Sequence, residues 1–188
     1  GSSNILQNDI YDNVSDDGGG ALAMFYGNAN VISNTISNNQ SVGGAAIYMN
    51  VSSPQIENNI MVNNSTPWFE GSVLYLFWSN PNIVGNLIAN NNTSGIYIND
   101  TSTATIINST IVNNYEAGII FRNASNATIK NCIIYGNQAQ NPLQINQIKI
   151  IDADADPIFD FCNIQGGLAG FSGAGSGSNY NPANYTNN

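Results

Sequence analysis

The chain contains no histidine, and its three basic residues, Arg122, Lys130 and Lys149, stand against twelve acidic ones. The missing imidazole removes the commonest general base and metal ligand. Any catalysis would rest on carboxylates, tyrosines or the three cations. A net charge of −9 lacks the basic footprint that nucleic-acid binding requires, and no Lys/Arg face exists for docking on anionic lipid. No run of about 18 apolar residues is present to span a bilayer as a helix. Cysteine is scarce. Cys132 and Cys162 are an even count in a chain that reads as exported, which leaves open both a disulfide and a pair of small inward-facing residues. No signal peptide is visible, and Gly1-Ser2-Ser3 falls in the middle of a repeat, so the chain reads as a piece of a longer protein.

What is abundant is Asn, Gly, Ser and Ile, and these recur in register. Ile5, Val31, Ile56, Ile83, Ile106 and Ile129 follow one another at intervals of 26, 25, 27, 23 and 23 residues, a periodicity that marks a solenoid. Three positions after each stands Asn8, Asn34, Asn59, Asn86, Ser109 or Cys132. Five after it comes Ile10, Ile36, Met61, Ile88, Ile111 or Ile134, and eight after it Asn13, Asn39, Asn64, Asn91, Asn114 or Asn137. Two inward β-branched residues separated by Asn read as two short strands meeting at a bend, not as a helix face. Asn suits such bends because it tolerates left-handed backbone, and stacked amides pair along the column as a ladder.

Upstream of these positions a further strand, usually opened by Gly, runs through Ala21 to Met24, Ala45 to Met49, Ser72 to Leu76, Gly95 to Ile98 and Gly118 to Phe121. The five later coils align without a gap from this strand onward, so length variation is expected only in the turn that ends each coil. A leucine-rich repeat has a comparable period but needs a Leu-dominated core and a helical segment in every repeat; no coil here offers one. The spacing predicts an all-β parallel β-helix of about six to seven coils with three short strands each, over residues 1–164. A Gly/Ser/Asn-rich loop or cap is expected over 165–188.

The runs ISNTISNN, IENNIMVNN, INSTIVNN and GGAAIYMNVSSPQIENN resemble the right-handed parallel β-helix repeats, pectate-lyase-like in architecture, of large secreted and surface proteins common in Bacteroidetes-type bacteria. The segment DADADPIFDFCNIQGG is similar to the closing segments of such arrays. The resemblance implies an extracellular or cell-surface location. It leaves function open, because the family holds polysaccharide lyases, epimerases and hydrolases beside adhesins and proteins without activity.

Four features are candidate sites. Asp152, Asp154 and Asp156 alternate, so in an extended chain their carboxylates point to one side, as Ca²⁺ favours; a solvated acidic turn is the alternative. Glu70 and Glu116 occupy equivalent repeat positions two coils apart, about 10 Å by strand spacing, near the upper end of the range for an inverting glycosidase. Trp68, Phe69 and Tyr115 lie beside them. Arg122 is the one arginine available as the cationic base that the resemblance to β-helix lyases implies, and a solvated ion pair with Asp100 explains it equally. Finally, the Gly-led strand is apolar at both parities. Ala46, Val73, Ile96 and Ile119 are expected to align with Tyr48, Tyr75, Ile98 and Phe121 on one face, and Ile47, Leu74, Tyr97 and Ile120 on the other. One set must point outward, and with Phe25, Tyr26, Phe77 and Trp78 at the strand's end it forms a large apolar patch. The leading expectation is an interaction or adhesion module meeting a polysaccharide or protein through Trp68, Phe69, Phe77, Trp78 and Tyr97. A polysaccharide-active enzyme using Glu70, Glu116 and Arg122, or a plain spacer, are the alternatives.

Overall fold

The computed structural model describes residues 3–67, 71–138 and 146–188. The chain winds as a parallel β-solenoid of about seven coils built on three main sheets, with a short fourth pairing of Val14–Ser15 and Gln40–Ser41. The first sheet stacks Asn4–Leu6, Asn30–Ile32, Gln55–Glu57, Asn82–Val84, Thr103–Ile107, Asn126–Lys130, Ile158–Asp160 and Tyr185–Thr186. The second runs from Asp9–Tyr11 through Ile60–Val62 to Asn163–Ile164. The third runs from Leu22–Phe25 through Gly44–Asn50, Ser72–Phe77 and Ser94–Asn99 to Phe171–Ser172. All pairing is parallel and joins each coil to its neighbours.

The repeat positions explain the interior. Val31, Ile56, Ile83, Ile106 and Ile129 from the first sheet meet Ile36, Met61, Ile88, Ile111 and Ile134 from the second, all fully buried. The third sheet adds Ile47, Leu74, Ile96, Ile119 and Ile148 in one column and Met49, Leu76, Ile98, Phe121 and Ile150 in the next. Each such side chain contributes about 1.5–3 kcal/mol by leaving water. Within these columns aliphatic side chains stand on one another, with Phe121, Phe159 and Phe171 taking their places in the later coils, and the column stays filled.

Both Asn columns form ladders. Asn64 shows the pattern: its Oδ1 accepts from the Asn39 backbone N–H at 3.0 Å and from Asn39 Nδ2 at 3.1 Å, while its own Nδ2 donates to Ile36 O, Val62 O and Asn91 Oδ1. The left-handed residue of each bend, however, is the one before the ladder Asn: Ser33, Asn58, Gly85 and Asn108 at the first bend, and Asn38, Asn63, Asn90 and Asn113 at the second. The ladder Asn points inward, and the preceding residue makes the turn.

Two local irregularities overturn the gap-free alignment. A bulge between Ser72 and Leu74 shifts the register against Gly44–Asn50. At the bend after the third sheet, Tyr26, Val51 and Trp78 are single left-handed residues, whereas the next coils use pairs, Asp100–Thr101 and Asn123–Ala124. The added residue moves the later strands by one place. Tyr48, Tyr75 and Tyr97 consequently align with one another and with Ile120, while Ile96 and Ile98 face inward with Leu74 and Leu76. The expected apolar patch contracts to this one column and the adjoining bend.

That third bend also carries a ladder, of serine. Ser79 Oγ accepts from the Ser52 N–H at 3.0 Å, and Ser102 Oγ from the Ser79 N–H at 2.9 Å. The Gly-rich segment 165–188, expected as a loop or cap, contributes Phe171–Ser172 to the third sheet and Tyr185–Thr186 to the first. Asn188 then occupies the first ladder, its Nδ2 donating to Phe159 O at 3.1 Å.

Candidate functional site

The three bend columns differ in what they place in left-handed backbone. At the first two, the residues are Asn, Ser, Asp, Gln or Gly in nearly every coil, types that adopt this basin at little cost. At the third, coils one to three place Tyr26 (φ 54°), Val51 (φ 51°) and Trp78 (φ 46°) there. For bulky or β-branched residues a positive φ is a genuine outlier, costing on the order of 1–3 kcal/mol each. Burial does not compensate: Tyr26 is 81 % exposed, Trp78 54 % and Val51 41 %. Phe25, 55 % exposed, and the partly buried Phe77 extend the same edge. Phe77 packs against Trp78 with ring centroids 4.3 Å apart and planes inclined by 56°. The result is an apolar ridge running parallel to the solenoid axis, flanked by the exposed amides of Asn28 and Asn80. Asn50 stands between Phe25 and Phe77, and its buried Oδ1 finds no hydrogen-bond partner among the described residues.

Beside the ridge the outward column of the third sheet is a stack of rings. Phe25 and Tyr48 lie 5.7 Å apart, Tyr48 and Tyr75 5.5 Å, and Tyr75 and Tyr97 5.0 Å with planes only 3° from parallel. Rings stacked along the axis turn their faces to one another and their edges outward, so the column braces the sheet and offers no flat face for a ligand. The hydroxyls are tied as well: Asn99 Nδ2 donates to Tyr75 Oη at 3.3 Å, and Arg122 Nη1 to Tyr97 Oη at 3.4 Å. Burial, with the neighbouring Tyr97 second, pushes the Tyr75 phenol up to about 12. Burial likewise raises Tyr48.

The residues singled out from the sequence scatter over the molecule. Phe77 and Trp78 lie on the ridge, and Tyr97 is buried in the ring stack. Trp68, Phe69 and Glu70 fall outside the described residues. Glu116, with a left-handed φ of 84°, pairs with Lys149 at 2.9 Å, and Ser94 Oγ lies 3.5 Å from its other oxygen. Asp100 accepts from Asn123 Nδ2 at 3.1 Å. Asp152 to Asp154 form a turn instead of extended chain. Asp152 accepts from the Asn123 N–H at 2.7 Å, and Asp156 lies 3.4 Å from the Asn181 N–H. Among the described residues no three His, Cys, Asp or Glu side chains come together as a metal-ligating group. Sequence reasoning placed Phe25 and Tyr26 with Phe77 and Trp78 at the end of the strand but missed Val51 and the Ser ladder. Their signal was present in the side-by-side comparison of bend residues, where apolar types interrupt a polar column.

Residues 2–150 match the NosD family, described as periplasmic copper-binding protein, a family of periplasmic parallel β-helix repeats. A search of curated proteins finds no match to the chain. The donors present do not fit a resident copper centre, which draws on imidazole, thiolate and thioether. Histidine is absent from the sequence. Met24, Met49 and Met61 are buried in the apolar core, Met61 on a different sheet from the other two. Both cysteines are buried, with their thiols against backbone carbonyls, Cys132 on Lys130 O at 3.2 Å and Cys162 on Asp160 O at 3.4 Å. No helix among the described residues is long and apolar enough to cross a membrane.

Proposed function

The chain belongs to the NosD family, and from that premise we propose that it serves as a rigid, exported interaction module whose ridge of Phe25, Tyr26, Val51, Phe77 and Trp78 binds a neutral polysaccharide. The observation that carries this reading is the exposure of three bulky side chains in left-handed backbone. Strain of that kind persists at sites where function requires it, and three of the four bulky apolar residues so placed, all but Phe161, gather on this one edge. The coil spacing of about 4.8 Å sets Tyr26 and Trp78 about 10 Å apart along the axis, room for a short run of pyranose rings. Aromatic side chains supply apolar contact to the C–H faces of sugars, and the flanking amides of Asn28 and Asn80 supply hydrogen bonds to hydroxyls.

Charge selects the polymer class. The ridge itself carries no ionised group, and the chain's net charge of −9 repels uronate or sulfated chains. Affinity electrophoresis in gels holding neutral glucans, mannans or xylans, with polyuronates for comparison, tests the reading. Wild-type protein is expected to be retarded by a neutral polymer, and Trp78→Ala to weaken that retardation by about tenfold or more, as loss of an aromatic anchor does. Retardation by polyuronates alone, or equal retardation of wild type and Trp78→Ala, would overturn it.

A further inference from the structure

We propose that Cys132 and Cys162 are oxidised to a disulfide in the exported protein, a covalent staple between two successive coils. The two residues continue the first-bend ladder. Its amides pass from Asn34 to Asn59 to Asn86 at 3.0 Å per step, and Ser109 Oγ then accepts from the Asn86 N–H at 3.3 Å. At the next two levels thiols stand where the amides stood, and the ladder resumes with Asn188, which accepts from the Cys162 N–H. The side-chain amide bonds that join coils elsewhere are therefore missing at this step. The two thiols stand in their place as immediate neighbours, each also directed at backbone carbonyls, Cys132 at Lys130 O and Cys162 at Asp160 O. The Asn163 N–H donates to Cys132 O at 2.8 Å, and Lys130 stands opposite Asp160 in the strand register. This register sets the two cysteines one above the other, a coil spacing of about 4.8 Å between Cα atoms. That separation lies inside the range of about 4.4–6.8 Å that a disulfide spans.

The inference rests on the family's periplasmic location, a compartment in which disulfides form and persist. The oxidant is the disulfide of a thiol oxidase of that compartment. The neighbouring Cys132 lowers the pKa of the Cys162 thiol, while Cys162, with burial second, raises that of Cys132. The Cys162 thiolate attacks the oxidase disulfide, releasing one oxidase thiolate and forming a mixed disulfide. Cys132 then loses its proton and attacks the Cys162 sulfur, expelling the second oxidase thiol. Two protons and two electrons pass to the oxidase, and one S–S bond forms in the chain. Both thiols are buried, so the exchange belongs to the stage before Tyr185–Thr186 docks over the last coil, and the finished bridge is shielded from reductants.

The test is maleimide labelling of the chain, exported to a bacterial periplasm and denatured, before and after reduction, with peptide mapping by mass spectrometry. Neither cysteine is expected to be labelled before reduction and both after it. Reduction is further expected to lower the melting temperature of the native protein by about 5–10 °C, with no such drop in a Cys132→Ser/Cys162→Ser variant. Labelling of both thiols before reduction would overturn the proposal. So would protection that a copper(I) chelator abolishes without reductant, or a bridge mapped between two chains.

Discussion

Tyr26, Val51 and Trp78 each hold a backbone conformation that the other two bends give to Asn, Ser, Asp, Gln or Gly everywhere but at Phe161. The cost of placing a bulky L-residue there is about 1–2 kcal/mol, and their exposure means that little apolar burial is lost when they are replaced. Val51→Asn is thus expected to raise stability by about 1 kcal/mol, a gain of about 2–4 °C in Tm for a domain of this size, readable by calorimetry. A fall in Tm would mean that the strain argument is misplaced. Tyr75 supplies a second residue-level prediction. Its folded pKa of about 12 exceeds the ordinary value of about 10, so the native state keeps a proton that the unfolded chain loses. The associated stability is fully present below pH of about 10 and disappears as the pH rises towards 12. Tyr75→Phe should flatten the alkaline fall of Tm; an unchanged slope would assign the fall to other tyrosines. None of this was visible residue by residue, because Val and Trp are strand formers and read as ordinary ends of a β-run.

At the level of the element, the ladders were legible and the bends were not. An Asn at every period is a strong signal because the inward amide must satisfy the same carbonyls in every coil. The turn-making residue varies from Ser33 to Asn58 to Gly85 and leaves no such trace. Removing one rung should be costly. Asn64→Ala leaves the Asn39 N–H and the Ile36 carbonyl without their partner, an expected loss of about 3–5 kcal/mol by denaturant unfolding. Asn64→Ser should cost less, since Ser109 fills such a place in the neighbouring ladder; equal losses would show that a hydroxyl does not stand in for the amide at this rung. The tail strand Tyr185–Thr186 was hidden by its Gly-rich surroundings, and it is held in part by charge. Asp160 accepts from Asn187 Nδ2 at 2.8 Å and Thr186 Oγ1 at 2.9 Å. The Asn187 bond, then the Thr186 bond, hold its carboxyl below the ordinary value. That contribution is present above pH of about 4 and lost as the pH falls through the lower folded value. Hydrogen exchange should show residues 185–188 losing protection in acid before the central coils, a difference that Asp160→Asn should remove.

For the whole molecule, period and core columns fixed the architecture because a solenoid repeats one local solution and every coil contacts only its neighbours. Register across the third sheet could not be read, because the two-residue bend at Asp100–Thr101 has no signature that distinguishes it from strand or loop. That single inserted residue turned an expected broad apolar face into a braced ring stack plus a narrow ridge, and so moved the candidate site from the sheet to its edge. The module is then a stiff rod, about 30 Å long for seven coils, that displays one strained, uncharged edge. The most direct test is to measure neutral-polysaccharide binding and Tm together in the triple variant Tyr26→Asn/Val51→Asn/Trp78→Asn. The expected result is loss of binding with a raised Tm, stability having been given up for a contact surface. Retained binding, or a Tm that falls with it, would show that the ridge serves the fold and not a ligand.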